Sequence, residues 1–260
     1  MAVPLDIKAV GHNTACNTID CERHSTTEPV LTIPLNQPVQ AAAKAVLQRL
    51  AGHITPNSTE RSIAGAATQM LAEAGYPDTW YYNCPAFVLL GSRSKASLSG
   101  RSYEPGDEPV GLHNLVTVDL SPRSGDLWGD CARSFYVEDG VARHMPATAE
   151  FLSGYEVEHR LHQAMCGFVR PDTTFHELHE FANGLIRAAG FENLDFLGNL
   201  GHSICRSRDE RLYIEADNHR RLAEAACFTF EPHISERGGC WGFKHENIYY
   251  FRADGTVAEL

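Results

Sequence analysis

The sequence predicts an α+β fold made of two α/β halves, related by a pseudo-twofold axis, around a central antiparallel sheet. Three observations predict it. The composition is that of a globular protein, with 43% hydrophobic and 21% charged residues. A helix pair recurs 115 positions along the chain, and strand-like sequence follows each copy. The 260 residues suffice for one large domain or two small ones.

The repeat relates residues 38–76 to residues 153–191. Each segment predicts an amphipathic helix, a proline turn, a second helix capped by Ser or Thr, and an Ala-Gly end where glycine suits the left-handed conformation. A chance repeat is the alternative, because helix pairs joined by a turn are common. The coinciding positions are Pro56 with Pro171, Ser58 with Thr173, Thr59 with Thr174, and Gly75 with Gly190.

Each half also delivers two carboxylates on strand-like segments rich in β-branched and aromatic residues. An unpaired charge inside an apolar strand costs roughly several kcal/mol, so each acid needs a cation or hydrogen-bond donors. In the first half the two acids are eleven residues apart, the length of a strand, a turn at 123–126 and a return. The four acids are Asp119, Asp130, Glu231 and Glu246.

A histidine completes this set. His202 follows Gly201 in the segment LGNLGHSIC, and glycine permits a close backbone approach there. Carboxylates with one imidazole suit a pair of divalent ions such as Mn, Fe, Co or Zn. When His202 is considered by itself, the alternative interpretation is a histidine whose hydrogen bonds are satisfied. Its occurrence together with four acids favours a metal ligand.

Residues 36–260 resemble the M24 metallopeptidases, the group of methionine aminopeptidase, prolidase and creatinase. The resemblance lies in the segments NLVTVDLSP, GDCARSF, LGHS, FTFEPHIS and KHENIYYF, which occur in the family's order. It implies the pita-bread (creatinase/aminopeptidase) fold and two divalent metal ions. The metal ligands that it implies are Asp119, Asp130, His202, Glu231 and Glu246.

The resemblance implies a metallopeptidase-like hydrolase of the aminopeptidase or Xaa-Pro peptidase type. A metal-activated water would attack an amide or peptide bond near a free amine, with Glu231 as the catalytic proton carrier. Two alternatives stay open. One is a metalloenzyme of the same fold that acts on a non-peptide small molecule, by hydrolysis or oxidation. The other is a catalytically silent binding module.

Two substrate-side histidines of the family are missing from this sequence. About 18 residues before Asp119 the nearest candidates are Arg101 and Tyr103, and seven residues after His202 the aligned residue is Asp209. Arginines could instead hold a substrate carboxylate in a bidentate pair. We therefore predict catalytic roles for Asp209 and Arg101 beside Glu231, and substrate binding by Arg101, Tyr103 and Arg206 or Arg208. A small acidic amide or amino-acid conjugate is one expected substrate.

Charge and hydropathy argue against other classes of protein, namely those that bind nucleic acid, span a membrane or carry a signal peptide. The net charge of −11 argues against nucleic acid as a partner. No apolar run approaches the roughly 20 residues of a membrane span, and the first residues lack a signal-peptide pattern. We expect a cytoplasmic protein, monomeric or homodimeric, that takes a small peptide or an amino-acid-derived small molecule.

Residues 1–35 read as an N-terminal arm or extension before the metallohydrolase domain at 36–260. A metal site in the arm is one interpretation and solvated loop residues are the other, because the spacing fits no zinc pattern. Its candidate ligands are His12, Cys16, Cys21 and His24.

Overall fold

A computed structural model of the chain describes residues 34–195 and 197–260. The α-helices of these residues form two pairs, one in each half of the chain. They are α1 (Gln37–Leu50), α2 (Glu60–Glu73), α3 (Ala149–Phe168) and α4 (Phe175–Ala188).

The second helices of the two pairs begin and end in the same way, which confirms the repeat. Both boundaries of α4 lie 115 positions after those of α2. The Thr59 side chain accepts a hydrogen bond from the Ser62 amide, and Thr174 accepts one from the Glu177 amide, so each helix begins with a reciprocal capping box. Each helix is followed by a glycine with positive φ, Gly75 at 91° and Gly190 at 83°.

Short antiparallel strands follow each helix pair. They are β1 (Asp78–Thr79), β2 (Ala86–Leu90), β3 (Asn114–Leu120), β4 (Pro122–Ser124), β5 (Leu127–Trp128), β6 (Cys131–Glu138), β7 (Val141–Arg143), β8 (Phe191–Asn193), β9 (Phe228–Phe230), β10 (His233–Glu236), β11 (Phe243–Lys244), β12 (Asn247–Phe251) and β13 (Val257–Glu259).

The first half contains a four-stranded sheet of order β2-β3-β6-β7 and a small sheet β1-β4-β5. The second half contains the sheets β13-β12-β9 and β11-β10-β8. The strand pairs of the described residues are antiparallel, so short turns can connect neighbouring strands. The β3–β6 pair is the longest, and its register places Asp119 opposite Ala132.

Each half has its own hydrophobic core. Helices α1 and α2 pack on the four-stranded sheet with side chains such as Leu47, Ile63 and Phe135, and α3 and α4 pack on the second-half strands with side chains such as Phe151 and Phe230. The two halves meet where the Glu246 amide donates to the Ala132 carbonyl at 3.0 Å. Their meeting line therefore runs through the strand ends that carry the predicted ligands.

Two sequence predictions fall outside the described residues. The arm of residues 1–35 does so except for its last two positions, and the candidate metal site of His12, Cys16, Cys21 and His24 does so entirely. Among the helices that are described, none combines the length and the apolar character needed to cross a membrane.

Candidate metal centre

Three of the predicted ligands form a tight carboxylate cluster where the two halves meet. Asp119 is the penultimate residue of β3, Asp130 directly precedes β6, and Glu246 directly precedes β12. One carboxylate oxygen from each lies within 4.8 Å of the other two. The antiparallel β3–β6 pair brings the two aspartates together although eleven positions separate them.

His202 and Glu231 join the cluster from the second half. Nε2 of His202 lies 3.4 Å from Oδ2 of Asp130 and 3.8 Å from Oε1 of Glu231. Nδ1 of His202 donates to the Ser203 carbonyl at 3.0 Å, so the Nε2 atom is the one that faces the carboxylates. This backbone hydrogen bond is the usual way in which a metal-binding imidazole is oriented.

Gly201 is needed to place His202. A side-chain carbon at position 201 would lie 2.4 Å from the Thr229 carbonyl oxygen, and φ at this residue is +137°. The close approach lets the Thr229 amide donate to the His202 carbonyl at 2.7 Å and the His202 amide donate to Oγ1 of Thr229 at 2.9 Å. These two hydrogen bonds fix the histidine against β9 at Thr229, which lies two residues before Glu231.

Sequence reasoning did not find Lys244, whose ammonium lies among the carboxylates. Its Nζ is 2.6 Å from Oδ2 of Asp119, 3.0 Å from Oε2 of Glu231 and 3.9 Å from Oε2 of Glu246. Burial alone would lower its pKa, but the three carboxylates raise the pKa well above its ordinary value. The sequence did contain a signal that Lys244 belongs to the site. Lys244 is two residues before Glu246, and side chains two positions apart on an extended segment lie on the same side.

Asp130 and Glu246 are deeply buried and poorly compensated. Burial, partly offset by His202, raises the pKa of Asp130 to about 7, and burial also raises the pKa of Asp119 and of Glu246. Oδ2 of Asp130 and both carboxylate oxygens of Glu246 are buried with no hydrogen-bond partner. Four carboxylates and one imidazole around a single ammonium, with orphaned oxygens, fit a set of divalent-cation ligands.

Glu231 differs from the other acids in the direction of its pKa shift. Its side chain, like that of Asp119, is partly exposed, at 21% against 1% for Glu246. Burial would raise the pKa of Glu231, but Lys244 and His202 outweigh it, so the pKa lies below its usual range. The carboxylate is therefore ionised at neutral pH and faces open space.

That space is a cavity of about 290 Å³. Its floor contains four of the five predicted ligands, and its walls contain aromatic rings with one arginine. Besides Asp119, Asp130, His202, Glu231 and Lys244, the cavity is lined by Trp80, Tyr81, Tyr82, Arg211, Tyr213 and His233, among others.

His233 and Arg211 are lining residues that sequence reasoning missed. Nε2 of His233 donates to the Ser94 carbonyl at 2.7 Å, and burial together with Lys244 lowers the pKa of His233 to about 4. Arg211 lies over two rings, 5.3 Å from the centre of Trp80 and 5.1 Å from that of Tyr213. Its Nε donates to the Arg208 carbonyl at 3.0 Å. His233 follows Glu231 by two positions, so the alternation that locates Lys244 also locates His233.

The structure does not bring the other predicted site residues to the cavity wall. Arg101 is exposed, with its guanidinium 4.6 Å from the centre of the Tyr82 ring at the cavity edge. The Tyr103 hydroxyl accepts from the Val88 amide at 3.0 Å and donates to the Val88 carbonyl at 2.9 Å. Arg206 and Asp209 are exposed.

Comparison with known proteins identifies the class. The model of metallopeptidase family M24 matches residues 37–253. The chain belongs to this family, whose members are metal-dependent, and the prediction of a metallopeptidase-like hydrolase is confirmed at the level of the family. Among curated proteins, none matches the sequence significantly.

Solved structures with the same fold include three from prokaryotes. The X-Pro aminopeptidase from Thermotoga maritima superposes with a TM-score of 0.71 and 18% identity over 86% of this chain and 58% of that one. The corresponding values are 0.69, 18%, 88% and 64% for prolidase from Pyrococcus furiosus, and 0.70, 15%, 88% and 61% for Xaa-Pro dipeptidase from Bacillus anthracis. The prediction of a pita-bread fold is confirmed. The chain spans less than two thirds of the length of each of these proteins.

Proposed function

We propose that this chain is a dinuclear metal-dependent hydrolase that cleaves an amide or peptide bond next to a free amine in a small peptide or amino-acid derivative. The observation that carries the proposal is the convergence of four carboxylates and His202 beside a cavity of about 290 Å³. Such a volume suits a ligand of roughly dipeptide size.

Five side chains would hold the metal ions. They are Asp119, Asp130, His202, Glu231 and Glu246. When bound, two divalent ions of the Mn, Fe, Co or Zn type would supply a water with a pKa near 7 and would polarise the scissile carbonyl. The orphaned oxygens of Asp130 and Glu246 support this assignment, because a cation would satisfy them.

Glu231 is the proposed proton carrier. Its ionised carboxylate lies at the cavity, so it can accept a proton from the attacking water and return it to the leaving amine. Oγ1 of Thr229 donates to Oε1 of Glu231 at 3.3 Å, and Lys244 holds Oε2 at 3.0 Å. These two contacts orient the carboxylate.

Arg211 is the proposed substrate clamp. Its terminal guanidinium nitrogens have no hydrogen-bond partner among the described residues, and the rings of Trp80 and Tyr213 restrict the side chain. A guanidinium fork of this kind binds a carboxylate in two parallel hydrogen bonds. We therefore favour substrates that end in a free carboxylate, such as dipeptides.

A non-peptide small molecule is the second candidate substrate. One observation favours it: Arg101, Tyr103 and Asp209, which stand near the family's histidine positions, do not reach the cavity wall. The substrate contacts of this chain would then come from the aromatic wall and from His233. A silent binding module would need no cation, so metal content separates it from both enzymatic candidates.

The deciding experiment is hydrolysis by the full chain after reconstitution with Mn²⁺, Co²⁺, Fe²⁺ or Zn²⁺. Xaa-Pro dipeptides come first, because the similar structures include Xaa-Pro peptidases and a prolidase. Release of free proline by the wild type, with a decrease of about 10²–10⁴-fold in kcat for Glu231→Gln, is expected. Glu236→Gln, an exposed acid on the neighbouring strand, is the control.

Two outcomes count against the proposal. Protein that binds metal but cleaves neither Xaa-Pro nor other dipeptides favours the non-peptide candidate. Protein that binds no divalent ion at micromolar concentration removes the hydrolase proposal altogether.

A further inference from the structure

Arginines border the aromatic wall of the cavity above the metal centre. The Arg208 guanidinium carbon lies 3.8 Å from the centre of the Tyr82 ring, which lines the cavity, and that of Arg101 lies 4.6 Å from the same centre. Arg211 lines the cavity itself, and its Nε donates to the Arg208 carbonyl at 3.0 Å. Three guanidinium groups therefore gather at one edge of a cavity whose floor is acidic. We call this group, which consists of Arg101, Arg208 and Arg211, the arginine rim.

The positive charge of the arginine rim is not neutralised within the part of the chain that the structure describes. None of the three guanidinium groups has a carboxylate oxygen within 4.0 Å there. Asp209 and Glu210 directly follow Arg208, but both are exposed and neither forms an ion pair with it. The chain as a whole has 33 acidic residues against 22 lysines and arginines, so the rim is a local excess of positive charge on an acidic protein. Such a cluster attracts anions from solution.

Arg208 is the member of the rim whose donors lack acceptors most clearly. The residue is half-buried, and its Nη1 is buried with no hydrogen-bond partner. Nε and Nη2 have no partner among the described residues either, but these two atoms keep access to solvent. Stacking on Tyr82 supplies no acceptor, because the N–H groups of a guanidinium lie in its own plane. A partly desolvated guanidinium without an acceptor costs free energy, which an anion at its accessible edge would recover.

The backbone holds the Tyr82 ring in an unusual conformation. The φ angle is +45° at Tyr82 and +57° at Asn83, so two consecutive residues other than glycine are left-handed. A bulky residue rarely adopts this conformation, and it persists only where the surrounding structure requires it. Attraction between the ring and the guanidinium groups of Arg101 and Arg208 stabilises the arrangement. The ring is thus a fixed platform that sets the position of Arg208 at the cavity edge.

We propose that the arginine rim selects a substrate with two carboxylates, namely a dipeptide or amino-acid conjugate whose released residue is glutamate or aspartate. This inference rests on the proposed function, because the scissile bond must lie at the metal centre. Arg211 binds one carboxylate and Arg208 binds the other through its accessible edge, since a guanidinium fork matches a carboxylate in two parallel hydrogen bonds. Arg101 is exposed, so it adds only an attraction that salt screens.

The acidic floor does not oppose a substrate with two negative charges. The proposed pair of divalent ions carries as much positive charge as the four carboxylates carry negative charge. The loaded cavity therefore keeps the positive charge of Lys244 and of the arginine rim. A substrate with a single carboxylate would leave Arg208 without an acceptor, and this difference is the physical basis of the selection.

Paired dipeptides test the substrate class in the full chain reconstituted with Mn²⁺. Alanyl-glutamate and alanyl-glutamine differ in one charge and hardly in size. The wild type should have a kcat/KM at least about tenfold higher for alanyl-glutamate, mainly through KM. Arg208→Ala should reduce that ratio to about one, with alanyl-glutamine within about twofold of the wild type. Arg208→Lys should keep part of the ratio, because the charge remains and the fork is lost. Arg237→Ala, an exposed arginine outside the rim, should keep all of it.

A binding measurement separates failure of this inference from failure of the proposed function. Glutamate and glutamine are titrated by calorimetry into the wild type and Arg208→Ala with Mn²⁺ present. Tighter binding of glutamate that Arg208→Ala loses supports the rim as a dicarboxylate site, even where no dipeptide is cleaved, and the missing cleavage then counts against the proposed reaction alone. Equal kcat/KM for the paired dipeptides in protein that cleaves both, or the same preference in the wild type and Arg208→Ala, would overturn the inference and leave the hydrolase in place. Equal binding of glutamate and glutamine in protein that cleaves neither dipeptide would contradict both.

Discussion

Lys244 of the second half bonds Asp119 of the first half, with Nζ 2.6 Å from Oδ2. The same ammonium lies 3.0 Å from Oε2 of Glu231. One lysine therefore joins acids from both halves and supplies the positive charge inside the carboxylate cluster. In the metal-free protein this ion pair reduces the repulsion among the four acids.

Replacing Lys244 by methionine should destabilise the metal-free protein and strengthen its response to metal. Breaking a largely buried pair leaves Asp119 and Glu231 uncompensated, at a cost of roughly 3 kcal/mol. A divalent ion then meets a more negative cluster, so its affinity should rise at least about tenfold. Thermal melts with and without Mn²⁺ measure both effects.

Lys44→Met is the matched control for that experiment. Lys44 forms a partly exposed ion pair with Glu259 at 2.6 Å, away from the centre. Its loss should change stability by less than about 1 kcal/mol and leave the metal-induced shift unchanged. Identical melts for Lys244→Met and the wild type without metal would show that the ammonium contributes nothing to the cluster.

Gly201→Ala should remove His202 from the centre. The added carbon would meet the Thr229 carbonyl at 2.4 Å, in a backbone conformation that alanine rarely adopts. Relief requires the segment to move off β9, so we expect a stability loss of about 2 kcal/mol or more and weaker metal binding by calorimetry.

A helical glycine provides the contrast. Gly184 lies within α4, and a side-chain carbon there would meet nothing within 4 Å. Gly184→Ala should stabilise the protein by about 0.5–1 kcal/mol and leave metal affinity as it is. If Gly201→Ala bound metal with wild-type affinity, the close approach at β9 would not be what places His202.

The repeat and the ligand cluster could be predicted from sequence because both depend on local periodicity. Thr59 and Thr174 mark helix starts through side-chain chemistry that acts within three residues. Asp119 and Glu231 stand out because a charge in an apolar strand is unusual. The same period-2 pattern would also have located Lys244 and His233 beside the glutamates.

The cavity wall could not be predicted in this way because it comes from irregular segments. The sequence predicts that Tyr103 contacts the substrate. In the structure its hydroxyl instead forms hydrogen bonds with both backbone groups of Val88. Counting seven residues from His202 selects Asp209, whereas the chain reaches the cavity two positions later, at Arg211. Loop geometry depends on long-range packing that spacing does not encode.

Arg211→Ala should raise KM at least about tenfold for substrates with a free carboxylate, because a bidentate charged pair contributes roughly 1.5–3 kcal/mol. The kcat should change less, since the proposed contact of Arg211 is with the substrate carboxylate and not with the scissile bond. The wild type should have a higher KM for carboxamide analogues of the same substrates than for the acids, because an amide lacks the charge that Arg211 binds. Steady-state kinetics on paired acids and amides measure this.

Arg206→Ala tests the original sequence prediction against Arg211. Arg206 is exposed and does not line the cavity, so its KM should stay within about twofold of the wild type. A large KM increase for Arg206→Ala with none for Arg211→Ala would restore the sequence-based assignment and contradict the geometric one.

His162 should make the protein less stable in acid. The Tyr249 hydroxyl donates to its Nδ1 at 2.7 Å, its Nε2 donates to the His245 carbonyl at 3.1 Å, and burial lowers its pKa to about 3. Between that value and the ordinary histidine pKa of about 6.5, the unfolded chain binds a proton that the folded protein excludes. Stability from the neutral ring is thus complete above pH 6.5 and decreases as the pH falls toward 3.

The expected slope is about 1.4 kcal/mol per pH unit, so from pH 7 to pH 5 the wild type should lose about 2 kcal/mol relative to His162→Gln. Glutamine can keep both hydrogen bonds but does not titrate. Urea unfolding of metal-free protein at the two pH values measures the difference, and the titrating carboxylates of the centre cancel between the two proteins. His53→Gln, at an exposed position, is the control. Parallel pH profiles for the wild type and His162→Gln would mean that the buried ring is not held neutral by its surroundings.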